Sequence, residues 1–454
     1  MKKSIVMLFL FCAIVNAQNQ LKIPYVRHVL PNGLNVLLHE DHSTPTVSVN
    51  IWFHVGSGYE KPGRTGFAHL FEHLMFMGSG HVAVGEFDKL LEAAGGQNNG
   101  STTEDRTNYY EDIPSNALEL ALYLDSDRMG YLVDAMNAQK VDAQRDVVKN
   151  ERRQSYENRP YGLSEETILK NLYPSTHPYS WPVIGSMADL SVASYEDVVE
   201  FFKTYYVPNN ASLSIAGDIN PKETLKLVEK WFGNIPSGKS IPLQNPAKVK
   251  LYEEKIIVLE DRVQLPRLYL AWITPPRFAP GDAEMDVLAS ILTGGKNSRL
   301  YQKLVYELQI AQDVRAFQSS GKLSSQFELI ATARAGHDLE EIKKVIQSEI
   351  DKIKNETPTQ RELQRIVNQN EAAFLNQLER PGGFGGKANI LNEYFYYTGN
   401  PDYANEDLAR YKALSVNDIQ TAAQTYLPDN GRVVLSIVPK GKTALAVQPK
   451  TEGK

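Results

Sequence analysis

Three residues within little more than one helical turn can do chemistry together. His69, Glu72 and His73, in the run His69-Leu70-Phe71-Glu72-His73, stand at i, i+3 and i+4, so a helix brings them to one side. Two imidazoles one turn apart can grip a single metal ion, and the carboxylate between them projects the same way. The order is H-x-x-E-H, the inverse of H-E-x-x-H, with the histidines as ligands and Glu72 as a general base acting on water. The one cysteine of the chain is Cys12, so a metal site has to be built from His and carboxylate, a donor set that suits Zn²⁺ and also Mn²⁺ or Co²⁺. A catalytic zinc site needs a third protein ligand and an open position. Glu151, in the helix-like segment Gln144–Arg153, is the candidate. On pattern alone the better reading of Glu151 is a solvated helix glutamate.

The elements that must position these groups are legible in outline. Phe67, Leu70, Phe71, Leu74 and Met75 recur at the spacing of a buried helix stripe beside the two histidines. Upstream, Leu34–His39 and the alternating Val47–Phe53 read as strands. A second pair, Lys255–Leu259 and Leu268–Ile273, opens the other half of the chain. Both halves close alike: Tyr205-Tyr206-Val207-Pro208-Asn209-Asn210 leads into the strand-like Ala211–Gly217, and Tyr426-Leu427-Pro428-Asp429-Asn430 into Arg432–Val438. This points to a duplicated unit. The expected fold is α+β, with two homologous domains, each a mainly antiparallel sheet with helices packed on one face. The boundaries read as residues 18–235 for a metal-bearing N-terminal domain and 251–454 for a non-catalytic C-terminal domain. Residues 236–250, rich in Pro, Gly and Ser, form a linker and an expected hinge.

Composition removes several function classes. At 454 residues, 42% hydrophobic and 22% charged, the chain is globular and large enough for two cores. A net charge of −6 without a long Lys/Arg run gives no footprint for nucleic acid. Lys2 and Lys3, the apolar run Ile5–Val15 and the Val15-Asn16-Ala17 site read as a signal peptide over 1–17. The mature chain then has no cysteine and no membrane anchor, and works in the periplasm or outside the cell. The glycine-rich Arg380–Gly386 lacks the Lys-Ser/Thr ending of a phosphate loop and reads as a turn. Tyr394–Tyr397 reads as helix packing.

Several motifs together resemble one family. They are the H-x-x-E-H helix, Gly95-Gly96-Gln97-Asn98-Asn99, Thr107-Asn108-Tyr109-Tyr110, His177-Pro178-Tyr179, Pro182-Val183-Ile184-Gly185 and Ser298-Arg299-Leu300-Tyr301. The chain is similar to the pitrilysin, or inverzincin, zinc metallopeptidases, in the short two-domain branch related to the mitochondrial processing peptidases. The resemblance implies one zinc ion per chain held by His69, His73 and Glu151, with Glu72 as catalytic base. It also implies a substrate-binding edge strand through Asn99, Gly100, Ser101 and Thr102, where a peptide adds as an extra strand. Gln144, two helical turns before Glu151, stands where relatives often carry Glu and is a possible group behind the ligands. A larger departure lies in the second half. The positions of the family's Arg and Tyr, which face the zinc and bind substrate, read as Val305 and Gln312, and valine offers no donor to an oxyanion. The expected protein is a zinc endopeptidase acting on peptides or unfolded segments within a chamber. Its partner is a homologous subunit carrying the Arg/Tyr pair, with a homodimer as the other arrangement. The alternative is a non-catalytic structural or binding subunit of the same fold.

Overall fold

The computed structural model describes residues 21–380 and 382–449; the expected signal peptide 1–17 lies outside them. Eleven strands form two sheets among the described residues. The first contains β1 (Val26–Val29), β2 (Asn35–Glu40), β3 (Thr46–Phe53), β4 (Gln97–Thr102), β5 (Thr107–Pro114) and β6 (Ala211–Gly217). Its order is β1-β2-β6-β3-β5-β4. The second contains β7 (Lys255–Asp261), β8 (Arg267–Thr274), β9 (Ala311–Ser320), β10 (Ser325–Ala333) and β11 (Val433–Pro439), ordered β7-β11-β8-β10-β9. Leaving β1 aside, the two orders superimpose strand for strand. Each sheet has one parallel pair, β2 with β6 and β7 with β11. Every other pairing is antiparallel. The duplication read from the closing motifs is therefore a duplication of topology.

The alternation in β3 explains one layer. Val47, Val49, Ile51 and Phe53 point into a core shared with the helices of the first half, as a period of two requires. Ser48, Asn50 and Trp52 point the other way, yet all three are buried. The cover is the helix Lys387–Thr398, which belongs to the second half. Its Asn392 Nδ2 donates to the Asn50 carbonyl at 2.8 Å, and Trp52 Nε1 donates to Asn389 Oδ1 at 3.1 Å. The second sheet is covered in the reciprocal manner. Leu268, Leu270 and Trp272 of β8 face the second half's own helices. Tyr269 and Ala271 pack with Ile168, Leu169 and Leu172 of the first-half helix Ser164–Leu172. Each of those three aliphatic side chains is worth roughly 1.5–3 kcal/mol when fully buried.

Each sheet thus carries its own helices on one face and a single helix lent by the other half on the opposite face. Polar alternation signalled a face without an apolar core; it did not reveal that amide side chains from far along the chain would satisfy that face. The exchange also changes the reading of residues 236–250 as a hinge. The segment carries no helix or strand, but opening the halves there would strip both lent helices from their sheets.

Candidate metal centre

Helix α1 (Phe67–Leu74) buries Phe67, Ala68, Leu70, Phe71 and Leu74. Phe71 stacks on Phe201 and Tyr206 at 5.0 Å between centroids. The stripe therefore fixes the rotation of the helix and turns His69 and His73 outward together. The start of α1 is fixed unusually. Gly66 caps it at φ +89°, with no side chain to offer. A Cβ there would sit 2.6 Å from the Ile184 carbonyl oxygen, so both conformation and space require glycine. The cap comes from Glu60, whose two oxygens accept from Gly66 N (2.9 Å), Ala68 N (2.7 Å) and Trp181 Nε1 (3.1 Å). A carboxylate is well placed at the positive end of a helix.

Two further helices, α2 (Glu86–Ala93) and α3 (Leu118–Ala135), separate α1 from the next ligand. Glu151 lies near the end of α4 (Ala138–Arg152), whose start is capped by the Asn137 side chain. The neighbouring Arg152 is buried, pairs with Glu166 at 2.5 Å and donates to the Gly185 carbonyl at 2.7 Å. That anchorage fixes the last turn of α4 beside α1.

The three groups converge. Nε2 of His73 lies 3.3 Å from Glu151 Oε2, and Nε2 of His69 lies 3.8 Å from the same oxygen. One ligand atom from each of the three lies within 4.8 Å of the others. Tetrahedral ligands bound at about 2.0–2.1 Å stand about 3.3 Å apart, so the residues present fit a zinc ion after small adjustments. Side-chain exposure rises from 13% at His69 through 26% at His73 to 40% at Glu151, which leaves the site open on the Glu151 side. Burial pushes the His69 imidazole down to about 4, keeping it neutral as a ligand must be. The hydrogen bond with His73 outweighs burial and holds the Glu151 carboxyl below its usual value.

Glu72 stands beside this cluster. Its Oε2 accepts from Thr102 Oγ1 at 2.5 Å. Burial raises its affinity for a proton and the Thr102 bond moderates the rise, which suits a general base. A Cβ on Gly100 would stand 3.1 Å from Glu72 Cγ, so glycine lets β4 pass close to the base. β4 is the outermost strand on this side of the sheet, and its free edge runs past the metal cluster. Asn99 is exposed there, its side chain accepting only from Gly100 N. Ser101 turns to the opposite face and donates to Asn108 Oδ1 at 2.6 Å. Gln144 does share the α4 helix with Glu151, but its amide donates to Met77 Sδ at 3.0 Å and to neither imidazole.

Val305 packs against the second core, and Gln312 is exposed at the start of β9. Arg299, six residues before Val305, is held by both oxygens of Glu362 at 2.8 and 3.0 Å. Glu60 escaped the sequence reading because it acts across a turn. The signal that could have exposed it is Gly66, a cap position without a capping side chain.

Two imidazoles and a carboxylate that could hold a metal ion, with a second carboxylate beside an edge strand, stand together on a duplicated α+β frame. The chain belongs to peptidase family M16. The profile described as "Insulinase (Peptidase family M16)" matches residues 35–180, and that described as "Peptidase M16 inactive domain" matches 193–370. The three clustered residues, His69, His73 and Glu151, all lie within the first of these matches. Among relatives, zinc protease PqqE of Helicobacter pylori is 28% identical over 90% of this chain and 92% of its own length. A probable mitochondrial-processing peptidase subunit beta of Arabidopsis thaliana is 23% identical over 90% of this chain and 77% of its own. The crystal structure of a protease from Helicobacter pylori aligns with TM-score 0.86 at 27% identity, covering 92% of this chain and 99% of that one.

Proposed function

We propose that the protein is a zinc-dependent endopeptidase that hydrolyses peptides or unfolded segments. The observation that carries this reading is the convergence of His69, His73 and Glu151 with Glu72 alongside. His69 and His73 through Nε2, and Glu151 through Oε2, would hold the ion. Zinc, when bound, supplies Lewis acidity toward a carbonyl and makes water more acidic. Glu72 takes the proton from the attacking water on its carboxylate and returns it to the leaving amine. Thr102 fixes one oxygen of that carboxylate and leaves the other for the proton. The free edge of β4, through Asn99 to Thr102, binds the substrate main chain as an added strand.

We further propose that the chain is the zinc-bearing member of a pair. Val305 and Gln312 supply no cation or phenol, and Arg299 is engaged by Glu362. A homologous partner bearing Arg and Tyr would complete the site, with a homodimer as the second arrangement. The leader-like residues 1–17 support export to the periplasm or beyond. No helix among the described residues is long and apolar enough to cross a membrane.

The test is cleavage of a mixed peptide library by the purified chain, alone and with its homologous partner. Chelator-sensitive cleavage that disappears in Glu72→Gln is the expected result. A zinc-loaded chain that cleaves nothing in either arrangement would overturn the peptidase reading and favour a binding subunit.

A further inference from the structure

The turn between β4 and β5 reaches into the opposite half of the molecule. At its tip, Asp105 is buried, and every acceptor it offers is taken. Its carboxylate accepts from Tyr179 OH, from Tyr397 OH at 3.0 Å and from the Lys322 backbone N at 2.8 Å. Its carbonyl oxygen accepts from Tyr396 OH at 2.7 Å. Tyr396 and Tyr397 lie on the lent helix Lys387–Thr398, and Lys322 lies in the turn between β9 and β10. Three of the four donors therefore belong to the half without metal ligands.

The back of the same hairpin is held as well. Arg106 Nη1 donates to the Ser101 carbonyl oxygen (2.9 Å) and to Ser101 Oγ (2.6 Å), and its guanidinium lies over Trp52 at 4.9 Å. Trp52 and Asn108 both donate to Asn389 of the lent helix. On the front of the hairpin, Thr102 donates to Glu72. A continuous path thus runs from the lent helix, through Asp105 and Ser101, to the strand edge and the base. Satisfied buried networks of this kind hold one geometry firmly.

We propose that Asp105 is a positioning residue through which the second half sets the β4 strand and Thr102 against Glu72. The half without ligands is then a working part of the active site, acting from behind the substrate strand. The proposal rests on the peptidase reading for its catalytic consequence, but not for its structural one.

The experiment uses the full chain with Tyr396→Phe and Tyr397→Phe combined, which removes two hydroxyls and no packing volume. Zinc content, amide exchange over residues 97–106, and kcat and KM are measured, with and without Thr102→Val. The expected result is unchanged zinc, faster exchange in 97–106 and a kcat roughly tenfold lower, since small misplacements near reacting groups cost one to two orders of magnitude. Thr102→Val should then cost much less in the tyrosine variant than in the native chain, because both act on one contact. Unchanged exchange, or losses that simply multiply, would overturn the proposal. If the native zinc-loaded chain cleaves nothing, either alone or with its homologous partner, the peptidase reading fails, and the exchange measurement alone decides the positioning. Asp105→Asn, which keeps the shape and removes the charge, should reproduce the exchange change.

Discussion

Glu72 and Glu151 are both glutamates at the same cluster, yet their surroundings assign them different work. Glu151 shares an oxygen between two imidazoles, whereas Glu72 meets only the Thr102 hydroxyl. Glu72→Gln should retain zinc while lowering turnover by roughly 10²–10⁴-fold, the usual worth of a positioned base. Glu151→Gln should weaken zinc affinity by more than the roughly 10–100-fold typical of groups behind a ligand. Metal analysis alongside steady-state kinetics separates the two. Residue types and spacing made His69, Glu72 and His73 legible without any coordinates. Glu151 was legible only through family likeness, since a half-exposed glutamate on a polar helix looks like any other. Thr102 was read as a substrate contact; its bond to the base depends on the register of β4, which no local pattern reports.

At the scale of the element, α1 is a short helix carrying a demanding load, and its ends are fixed from outside. Glu60 is buried, which raises its carboxyl, while the three N–H donors it accepts from favour the charged form. Glu60→Gln would turn an amide NH₂ toward those donors. It should destabilise the chain by roughly 1–3 kcal/mol, the cost of unsatisfied buried polar groups, and make zinc easier to extract. Chemical denaturation and competition with a chelator check this. Behind α1, Arg128 of α3 is enclosed with Glu111 (2.7 Å) and Asp125 (2.5 Å) and lies against the rings of Phe87 and Tyr109. Arg128→Met should cost less stability than Arg128→Ala, which opens a cavity. Either would leave two buried acids unpaired, a loss of about 3–5 kcal/mol when one partner of such a pair is removed. The apolar stripes that placed the helices were plain in the sequence. The charges beneath them were not, because buried and solvated acids look alike in one dimension.

Over the whole molecule, the two sheets and their common order follow from a repeat visible at the ends of both halves. The crossing helices were not visible, because Ser164–Leu172 and Lys387–Thr398 satisfy surfaces about a hundred residues or more away. The junction they form should be sensitive to acid. His54 lies against Tyr396 at 4.7 Å between ring centroids, with Ser212 Oγ at 3.2 Å. Burial, aided by the Lys322 charge, pushes its imidazole down to about 3. The folded chain then binds fewer protons than the unfolded chain below an unfolded pKa of about 6.5. Stability should therefore fall as pH drops from about 6.5 toward 3, by up to about 1.4 kcal/mol per pH unit for this one group. Urea midpoints of the metal-stripped chain at pH 7, 5.5 and 4.5 should show the fall, and His54→Gln should flatten it. An equal slope in both proteins would mean that the other histidines carry the effect.

Reciprocal helix exchange has a consequence for the chain as a covalent object. Each half covers the other's sheet, so the peptide bonds of residues 236–250 join two bodies that already hold one another. A cut there should leave a nicked protein that migrates as one species in native conditions. Two separately encoded fragments, broken within that stretch, should assemble when produced together and should be insoluble when produced apart. Sequence divergence between the halves is then free to proceed at the catalytic surface, while the two exchanged helices and the faces they cover must change in step.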